Sequence, residues 1–298
     1  MATLKEIKSK IVSVKKTKQI TSAMKMVATS RLRSAQNNME RFEPYAEKFA
    51  EVLGSIAGNT SETSNPLLLP VKEVKKIGIV FCTSDRGLCG GFNANLITKV
   101  QNFIDSLSDD KTFSLTCFGK RGVDWAKKES YNISEEFIGV VGSNIEFSVA
   151  ASSGQKLIDS FLKNDLGEVH LIYSKFINMA KQEVCMKQIL PIPSIDGLTA
   201  LEGKDESQKA FLPEHICEPS PEVLFGKMLP KNVFIQLYDA LLQTSTSEHA
   251  ARMRAMENAT KACDDMATEL QTIFNKTRQA AITADLMDIV CGAEALKG

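Results

Sequence analysis

The fold of this 298-residue chain is decided by residues 3–57, TLKEIKSKIVSVKKTKQITSAMKMVATSRLRSAQNNMERFEPYAEKFAEVLGSIA. The stretch holds no glycine before Gly54, and its only proline is Pro44. Apolar or small side chains recur at alternating spacings of three and four residues, which is the heptad pattern of a helix that packs against another helix. A proline lacks the amide donor and bends such a helix without having to end it. The stretch therefore predicts one very long helix with a stripe for a partner helix to cover.

One interruption weakens the stripe in its first half. The apolar and small positions are Leu4, Ile7, Ile11, Val14, Ala28, Leu32, Ala35, Met39, Phe42, Ala46, Phe49, Leu53 and Ile56. Between Val14 and Ala28 the same positions carry Lys18, Thr21 and Lys25, while Ile20, Met24 and Val27 place apolar groups on a neighbouring face. We expect the helix to change partners at this interruption.

The chain changes character after this helix. Residues 58–70, GNTSETSNPLLLP, are a cluster of turn formers and predict a linker. Short buried strands are then predicted at 77–83, 113–118, 137–141 and 169–173, with helices near 93–107, 121–131 and 145–162. Such alternation is typical of a parallel-sheet, Rossmann-like α/β domain. Residues 175–190 alternate like a pair of antiparallel edge strands, and a polar loop follows at 196–208.

A second long helical pattern closes the sequence, from about residue 221 to residue 296. It holds no glycine between Gly226 and Gly292, and its bulky apolar face thins to alanines toward the end. Neither long helix can bury its stripe alone, so we expect the two to pair as an antiparallel coiled coil with the α/β domain inserted between them. The predicted domains are an N-terminal helix at 1–60, an α/β domain at 71–218 and a C-terminal helix at 219–298.

Charge is balanced over the whole chain but not along it. Lys+Arg and Asp+Glu are equal at 36 each, which favours neither nucleic acid nor a membrane as partner of the whole chain. Residues 1–41 contain ten basic and two acidic residues, a local charge of 10 − 2 = +8. Such an arm suits nucleic acid, an acidic lipid surface or an acidic protein, or it is simply the solvated face of a helix.

Several classes of protein are disfavoured by what the sequence lacks. No apolar run approaches the roughly 20 residues that cross a bilayer, and the first residues form no secretion signal, so the expected compartment is the bacterial cytoplasm. Seven scattered cysteines without a CxxC pair suit buried thiols better than disulfides or zinc. None of the three histidines is predicted to be a ligand or a base, and no cofactor is expected.

Residues 77–97, IGIVFCTSDRGLCGGFNANLI, resemble a strand, a glycine-rich turn and a helix that could bind a phosphate. The turn matches neither the dinucleotide nor the P-loop pattern, which leaves a structural interpretation as the alternative: tight packing through the glycines, with Asp85 and Arg86 as an ion pair or turn network. Cys89, beside Arg86 and a helix start, is a candidate activated thiol.

Three stretches resemble the gamma subunit family of F-type ATP synthases. They are residues 10–28, KIVSVKKTKQITSAMKMVA; residues 84–93, SDRGLCGGFN; and a C-terminal group with SEHAARMRAM at 247–256, FNKTRQAAIT at 274–283 and IVCGA at 289–293. Their order and spacing match over essentially the whole chain. The resemblance implies a non-catalytic rotor shaft inside a hexamer of alpha and beta subunits, with the α/β domain on a membrane ring of proteolipid c subunits and an epsilon subunit nearby.

The resemblance also implies which residues touch partners. Met24 and Lys25 match positions that face an acidic loop of the beta subunit. Contacts to the catalytic ring are implied for Arg252, Arg278, Gln279, Thr283, Asp285 and Asp288, where the two aspartates replace the family's usual glutamates. A structural role or a stalk contact is implied for Ser84, Asp85, Arg86, Gly87, Gly90, Gly91 and Asn93. The implied location is peripheral, on the cytoplasmic face of the bacterial inner membrane, with no nucleic acid bound and no membrane insertion.

Overall fold

The computed structural model describes residues 3–57, 65–70, 74, 76–108, 111–142, 145–193, 218 and 220–295. Its elements are α1 (Leu4–Ala57), β1 (Lys76–Cys82), α2 (Phe92–Asp105), β2 (Thr112–Phe118), α3 (Lys120–Lys128), β3 (Ile133–Phe137), α4 (Phe147–Leu162), β4 (Glu168–Phe176), β5 (Gln182–Leu190) and α5 (Pro221–Ala295). The predicted loop at 196–208, most of the predicted linker, His215 and Cys217 lie outside the described residues.

Both long helices of the prediction are confirmed, and α1 continues through Pro44 as expected. The chain divides into two compact units. Unit 1 consists of residues 1–29 and 252–298, and unit 2 consists of residues 30–251, so each long helix contributes to both. The sequence-based domain boundaries stay a prediction.

Within unit 1, the two helices run antiparallel. Lys18 Nζ lies 2.5 Å from Asp264 Oδ1, and Lys25 Nζ lies 2.7 Å from Glu257 Oε1. Between these ion pairs the hydroxyl of Thr260 donates a hydrogen bond of 2.8 Å to that of Thr21. Partner numbers fall along α5 as they rise along α1, which is the register of an antiparallel pair.

These contacts correct the predicted change of partner at the interruption of the stripe. Thr21 is buried, and Lys18 and Lys25 reach across to α5, so the stripe continues without a break and uses polar contacts there. Ile20 and Val27 are 60% and 62% exposed, so none of the described residues packs over them as a second partner face.

Unit 2 is built on a five-stranded sheet in the order β3-β2-β1-β4-β5. The first four strands are parallel, and β5 pairs antiparallel with β4 at the edge. The predicted antiparallel pair is thus a hairpin whose first strand is β4 itself, because residues 175–190 hold only the end of β4 and all of β5.

The predicted strand at 137–141 is wrong. The strand is β3, Ile133–Phe137, and the chain turns after it through Gly139 at φ +82°. Sequence patterning favoured the apolar run that follows Phe137, but β3 is an edge strand with two charged side chains. Glu135 pairs with Lys156 of α4, and Glu136 pairs with Lys127 of α3 at 2.7 Å.

Apolar side chains cover both faces of the sheet. One core cluster joins the sheet to α4, to the end of α1 and to the first half of α5; the other joins it to α2 and α3. Gly154 of α4 lets α5 pack closely, since a Cβ there would lie 2.5 Å from the Phe234 ring. No helix among the described residues combines the length and apolar character needed to cross a membrane.

Candidate functional site

The loop after β1 is held by one asparagine. The Asn93 side chain accepts a hydrogen bond from the Ser84 amide at 3.0 Å and donates one of 2.7 Å to the Ser84 hydroxyl. Its Nδ2 also lies 3.2 Å from the sulfur of Cys89. Because Asn93 belongs to the first turn of α2, it ties the whole loop to the start of that helix.

Glycines of the same loop permit its tight path. Gly90 adopts φ +61°, a conformation that is unfavourable for any residue with a side chain. A Cβ on Gly87 would lie 2.8 Å from the guanidinium of Arg121, the flexible end of a side chain on α3. Leu88 takes φ +65° despite its side chain, which is 62% exposed. The loop therefore presents an apolar side chain from a fixed backbone, a feature that the sequence analysis missed.

Asp85 joins this loop to two others. Its Oδ1 accepts hydrogen bonds from the backbone amides of Lys120 at 3.0 Å and Gly139 at 2.9 Å, and its Oδ2 accepts one from Gly142 at 3.3 Å. The structural interpretation of the motif had Asp85 in a turn network; these contacts extend the network to the loops after β2 and β3.

The crevice beside the end of β1 is filled by α5. In doubly wound proteins, ligands bind outside the carboxyl ends of the strands where the strand order reverses, here between β1 and β4. The Ser247 hydroxyl donates to the Ser174 carbonyl of β4 at 3.1 Å, and Thr244 forms a hydrogen bond with Cys82 of β1. Burial raises the pKa of the Cys82 thiol to about 12. The dinucleotide alternative is therefore disfavoured by occupied space.

Cys89 lies in a structural setting. Its side chain is buried, and its sulfur contacts the side-chain amide of Asn93 at 3.2 Å and the carbonyl of Arg86 at 3.9 Å. An activated thiolate needs an electropositive, accessible position, so this geometry favours an inert thiol. His170, by contrast, has a carboxylate neighbour that the sequence analysis overlooked, with Nε2 3.1 Å from Glu168.

Unit 1 holds the other predicted site residues. Met24 and Lys25 are half-buried, and Lys25 lowers the pKa of Glu257, first through its hydrogen bond and then through its charge. Arg252 is half-buried in the same unit. The structure places Arg278, Gln279, Thr283, Asp285 and Asp288 together on the last exposed turns of α5, where the Thr283 hydroxyl donates to the Gln279 carbonyl at 2.9 Å.

An uncovered apolar row runs along those last turns, and the sequence analysis did not identify it. Ile282, Leu286 and Ile289 are 51%, 57% and 66% exposed, and their spacing puts them on one face of the helix. The antiparallel pairs add up to 282 (18 + 264) and 281 (21 + 260), so Leu4, where α1 begins, stands opposite residue 277 or 278. Helix α5 continues to Ala295 beyond the reach of its partner.

Comparison with known proteins gives consistent similarities. A family model described as ATP synthase matches residues 3–296. The chain is 65% identical to the ATP synthase gamma chain of Desulforapulum autotrophicum over 99% of this chain and 100% of that protein. Among solved structures, it resembles a chain of the Tetrahymena thermophila mitochondrial ATP synthase central stalk and c-ring, with TM-score 0.57, 25% identity and coverage of 80% and 99%. A chain of the Euglena gracilis mitochondrial enzyme shares the fold with TM-score 0.67 at 18% identity, covering 98% of this chain and 94% of that one.

Proposed function

Because this chain belongs to the ATP synthase gamma chain family and is thereby a central-stalk rotor subunit, we propose that it carries torque between a catalytic hexamer of alpha and beta subunits and a membrane ring of c subunits. In this proposal ATP is made or hydrolysed in the hexamer, and the chain has no catalytic site of its own. It also binds the epsilon subunit and lies peripherally on the cytoplasmic face of a bacterial inner membrane.

The observation that carries the proposal is the uncovered apolar row of Ile282, Leu286 and Ile289. Apolar side chains this exposed, and aligned on one helix face, are typical of a surface that another protein covers. We call this row the tip. A shaft that turns inside a hexamer needs an apolar tip, because an apolar contact is not directional and holds the shaft in place without fixing its angle. We assign this tip to the inner surface of the alpha and beta subunits.

Polar residues around the tip supply directional contacts in the proposal. Arg278, Gln279, Thr283, Asp285 and Asp288 are exposed and can hydrogen-bond to the surrounding subunits. Arg252 makes a corresponding contact with the surrounding subunits, nearer to the start of α5. Such bonds exist at some angles of the shaft and not at others, which makes the energy of each beta subunit depend on rotation.

Met24 and Lys25 form the proposed bearing against the beta subunit. Lys25 already has a carboxylate partner in Glu257, and its half-buried side chain can exchange that partner for an acidic loop. An exposed ion pair is worth little, so the exchange has a small energetic cost. The loop of residues 84–93, with Leu88 exposed at its surface, serves as the stalk contact of unit 2.

The absence of catalysis is supported by how the α/β fold is used. Asp85, in the turn after β1, accepts hydrogen bonds from backbone amides that follow β2 and β3, and α5 fills the crevice between β1 and β4. These contacts stabilise a rigid body, which is what torque transmission requires.

Reconstitution tests the proposal. The chain is mixed with purified alpha and beta subunits, and ATP hydrolysis is measured with and without it. We expect hydrolysis that depends on the chain, because an asymmetric shaft gives the three catalytic sites different conformations. The rotor role would be refuted if alpha and beta subunits alone hydrolysed ATP as fast and as cooperatively as they do with the chain.

The tip is tested by the double substitution Leu286→Glu and Ile289→Glu. We expect an unchanged thermal midpoint of the isolated chain and weaker co-purification with the alpha and beta subunits. Leu162→Glu is the matched control, since Leu162 is 49% exposed at the end of α4 in unit 2. Assembly of the tip variant with the affinity of the control would remove the tip contact from the proposal.

A further inference from the structure

We propose that Asp85 is a built-in anion: its carboxylate occupies a nest of backbone amides at the carboxyl edge of the sheet that is shaped to bind a small carboxylate. This inference concerns the folding of unit 2 and stands whether or not the chain is a rotor.

The nest is formed by donors from two loops that meet over the end of β1. The amide of Lys120 opens α3, so it is one of the first amides of a helix, which have no partner inside the helix. The amides of Gly139 and Gly142 belong to the loop after β3. All three point at Asp85, at 2.9–3.3 Å, and together they satisfy both oxygens of the carboxylate.

The backbone around the nest is fixed from other directions. Gly119 takes φ +94°, and a Cβ there would lie 2.2 Å from the carbonyl oxygen of Thr83, so the loop after β2 is pressed against the end of β1. The Thr83 hydroxyl accepts a hydrogen bond from the Gly122 amide at 2.8 Å. The Lys120 amide is thereby held in place before Asp85 is considered, as a binding site for an anion requires.

The donor set selects a negative charge and not merely a polar side chain. Backbone amides only donate, and an ionised carboxylate only accepts, so the two sets are complementary. An asparagine at residue 85 would turn an NH₂ group toward at least one of the amides, and that donor would lose its acceptor within the protein. Charged acceptors also form stronger hydrogen bonds with amides than neutral ones do.

Two consequences separate a built-in anion from an ordinary polar contact. Asp85→Asn should destabilise the chain nearly as much as Asp85→Ala. In Asp85→Ala, the missing atoms are those of a formate ion, so free formate should enter the vacated nest and restore stability. A ligand that binds only the folded state raises the free energy of unfolding by RT ln(1 + [L]/Kd), so the stabilisation grows with formate concentration.

The experiment measures thermal unfolding of the full-length chain in sodium formate and in sodium chloride of equal ionic strength. We expect both Asp85 variants to melt roughly 3–6 °C below wild type in chloride. Formate should raise the midpoint of Asp85→Ala toward wild type and leave wild type unchanged. Asp105→Ala is the matched control, because Asp105 accepts a single hydrogen bond, from the side chain of Gln101 at 2.8 Å.

The outcomes are decisive in either direction. Equal stability of Asp85→Asn and wild type, or a formate effect on Asp85→Ala no larger than on Asp105→Ala, overturns the proposal. If Asp85→Ala does not fold in chloride, its refolding yield is measured in both salts. A yield that formate improves supports a built-in anion, and a yield that formate does not change contradicts it.

Discussion

At the scale of single residues, Asp239 on α5 in unit 2 is a carboxyl group whose burial opposes its ionisation. Burial raises the pKa of the Asp239 carboxyl to about 6, against the hydrogen bond from Gln243 and the charges of Lys187 and Lys175, which lower it. The Gln243 side chain donates to Asp239 Oδ2 at 2.8 Å, while its own Oε1 is buried without a hydrogen-bond partner. The hydrogen bond from Gln243 thus replaces only part of the hydration that the Asp239 carboxyl loses on burial.

Asp239→Asn should stabilise the chain at neutral pH. An acid whose folded pKa exceeds its unfolded pKa costs nothing while it is protonated in both states, below about pH 4, and costs progressively more up to about pH 6. The shift corresponds to at most about 3 kcal/mol, and we expect a gain of about 1–2 kcal/mol because the amide also needs partners. Urea unfolding of variant and wild type across this pH range measures the difference.

The control for this prediction is Asp159→Asn. Asp159 is exposed and, like Asp239, accepts a hydrogen bond from a glutamine one turn away, Gln155 at 2.9 Å. A stability difference between Asp239→Asn and wild type that stays constant from low to neutral pH would show that ionisation of Asp239 is not its cause.

The hydrogen-bond partners of single residues could not be predicted from the sequence, although the residues themselves could. The residues of the loop at 84–93 were found from the sequence because they are adjacent in the chain. The partners of Asp85 could not be found in this way, since they lie 35, 54 and 57 residues further on and are ordinary backbone amides. The same limit applies to Asp239, whose pKa responds to Lys175 and Lys187 on two strands far from it in sequence.

At the scale of elements, periodicity was a good guide to helices and a weaker one to edges. The two long helices and three of the strands were predicted because their buried faces repeat regularly. Strand β3 was missed because its middle residues include Glu135 and Glu136, one on each face, and charged side chains are a usual protection of sheet edges. In α1, polar stripe residues suggested a change of partner, although they face a polar part of α5.

The hydroxyl contact between Thr21 and Thr260 should be replaceable by apolar packing. Removing both partners of a hydrogen bond in favour of side chains of the same shape is often neutral or stabilising. We expect the double variant Thr21→Val and Thr260→Val to be more stable than wild type by up to about 1 kcal/mol, because β-branched residues pack well in a coiled-coil stripe. Each single variant should be less stable than wild type, by about 0.5–1 kcal/mol.

Urea unfolding followed by circular dichroism completes this double-mutant cycle. Thr29→Val is the control, since Thr29 is on the exposed face of α1 and its hydroxyl donates only to the carbonyl of Lys25, at 2.9 Å. A double variant less stable than both single variants would show that the polar contact itself holds the helices together.

At the scale of the whole molecule, the two units differ in how their helices are buried. Unit 2 has core clusters on both faces of its sheet. The described part of unit 1 has a single seam, with Ile7, Ile11, Thr21, Ala28 and Met256 as its buried side chains. Tertiary packing provides most helical stability in proteins, so the stability of this chain should fall from unit 2 to the seam of unit 1 and further to the end of α5.

Hydrogen exchange of the isolated chain should reveal that order. Amides of β1 and β2 should exchange slowest, and amides of residues 4–29 faster. Amides of residues 282–295 should exchange fastest, because a helix of about one dozen residues without a packing partner is marginal in water and opens at almost no cost.

Mass spectrometry of peptides from the three regions measures the rates. Protection of 282–295 equal to that of β1 would contradict the reasoning. Addition of alpha and beta subunits should slow exchange in 282–295 far more than in β1, since a surrounding hexamer would cover these exposed turns.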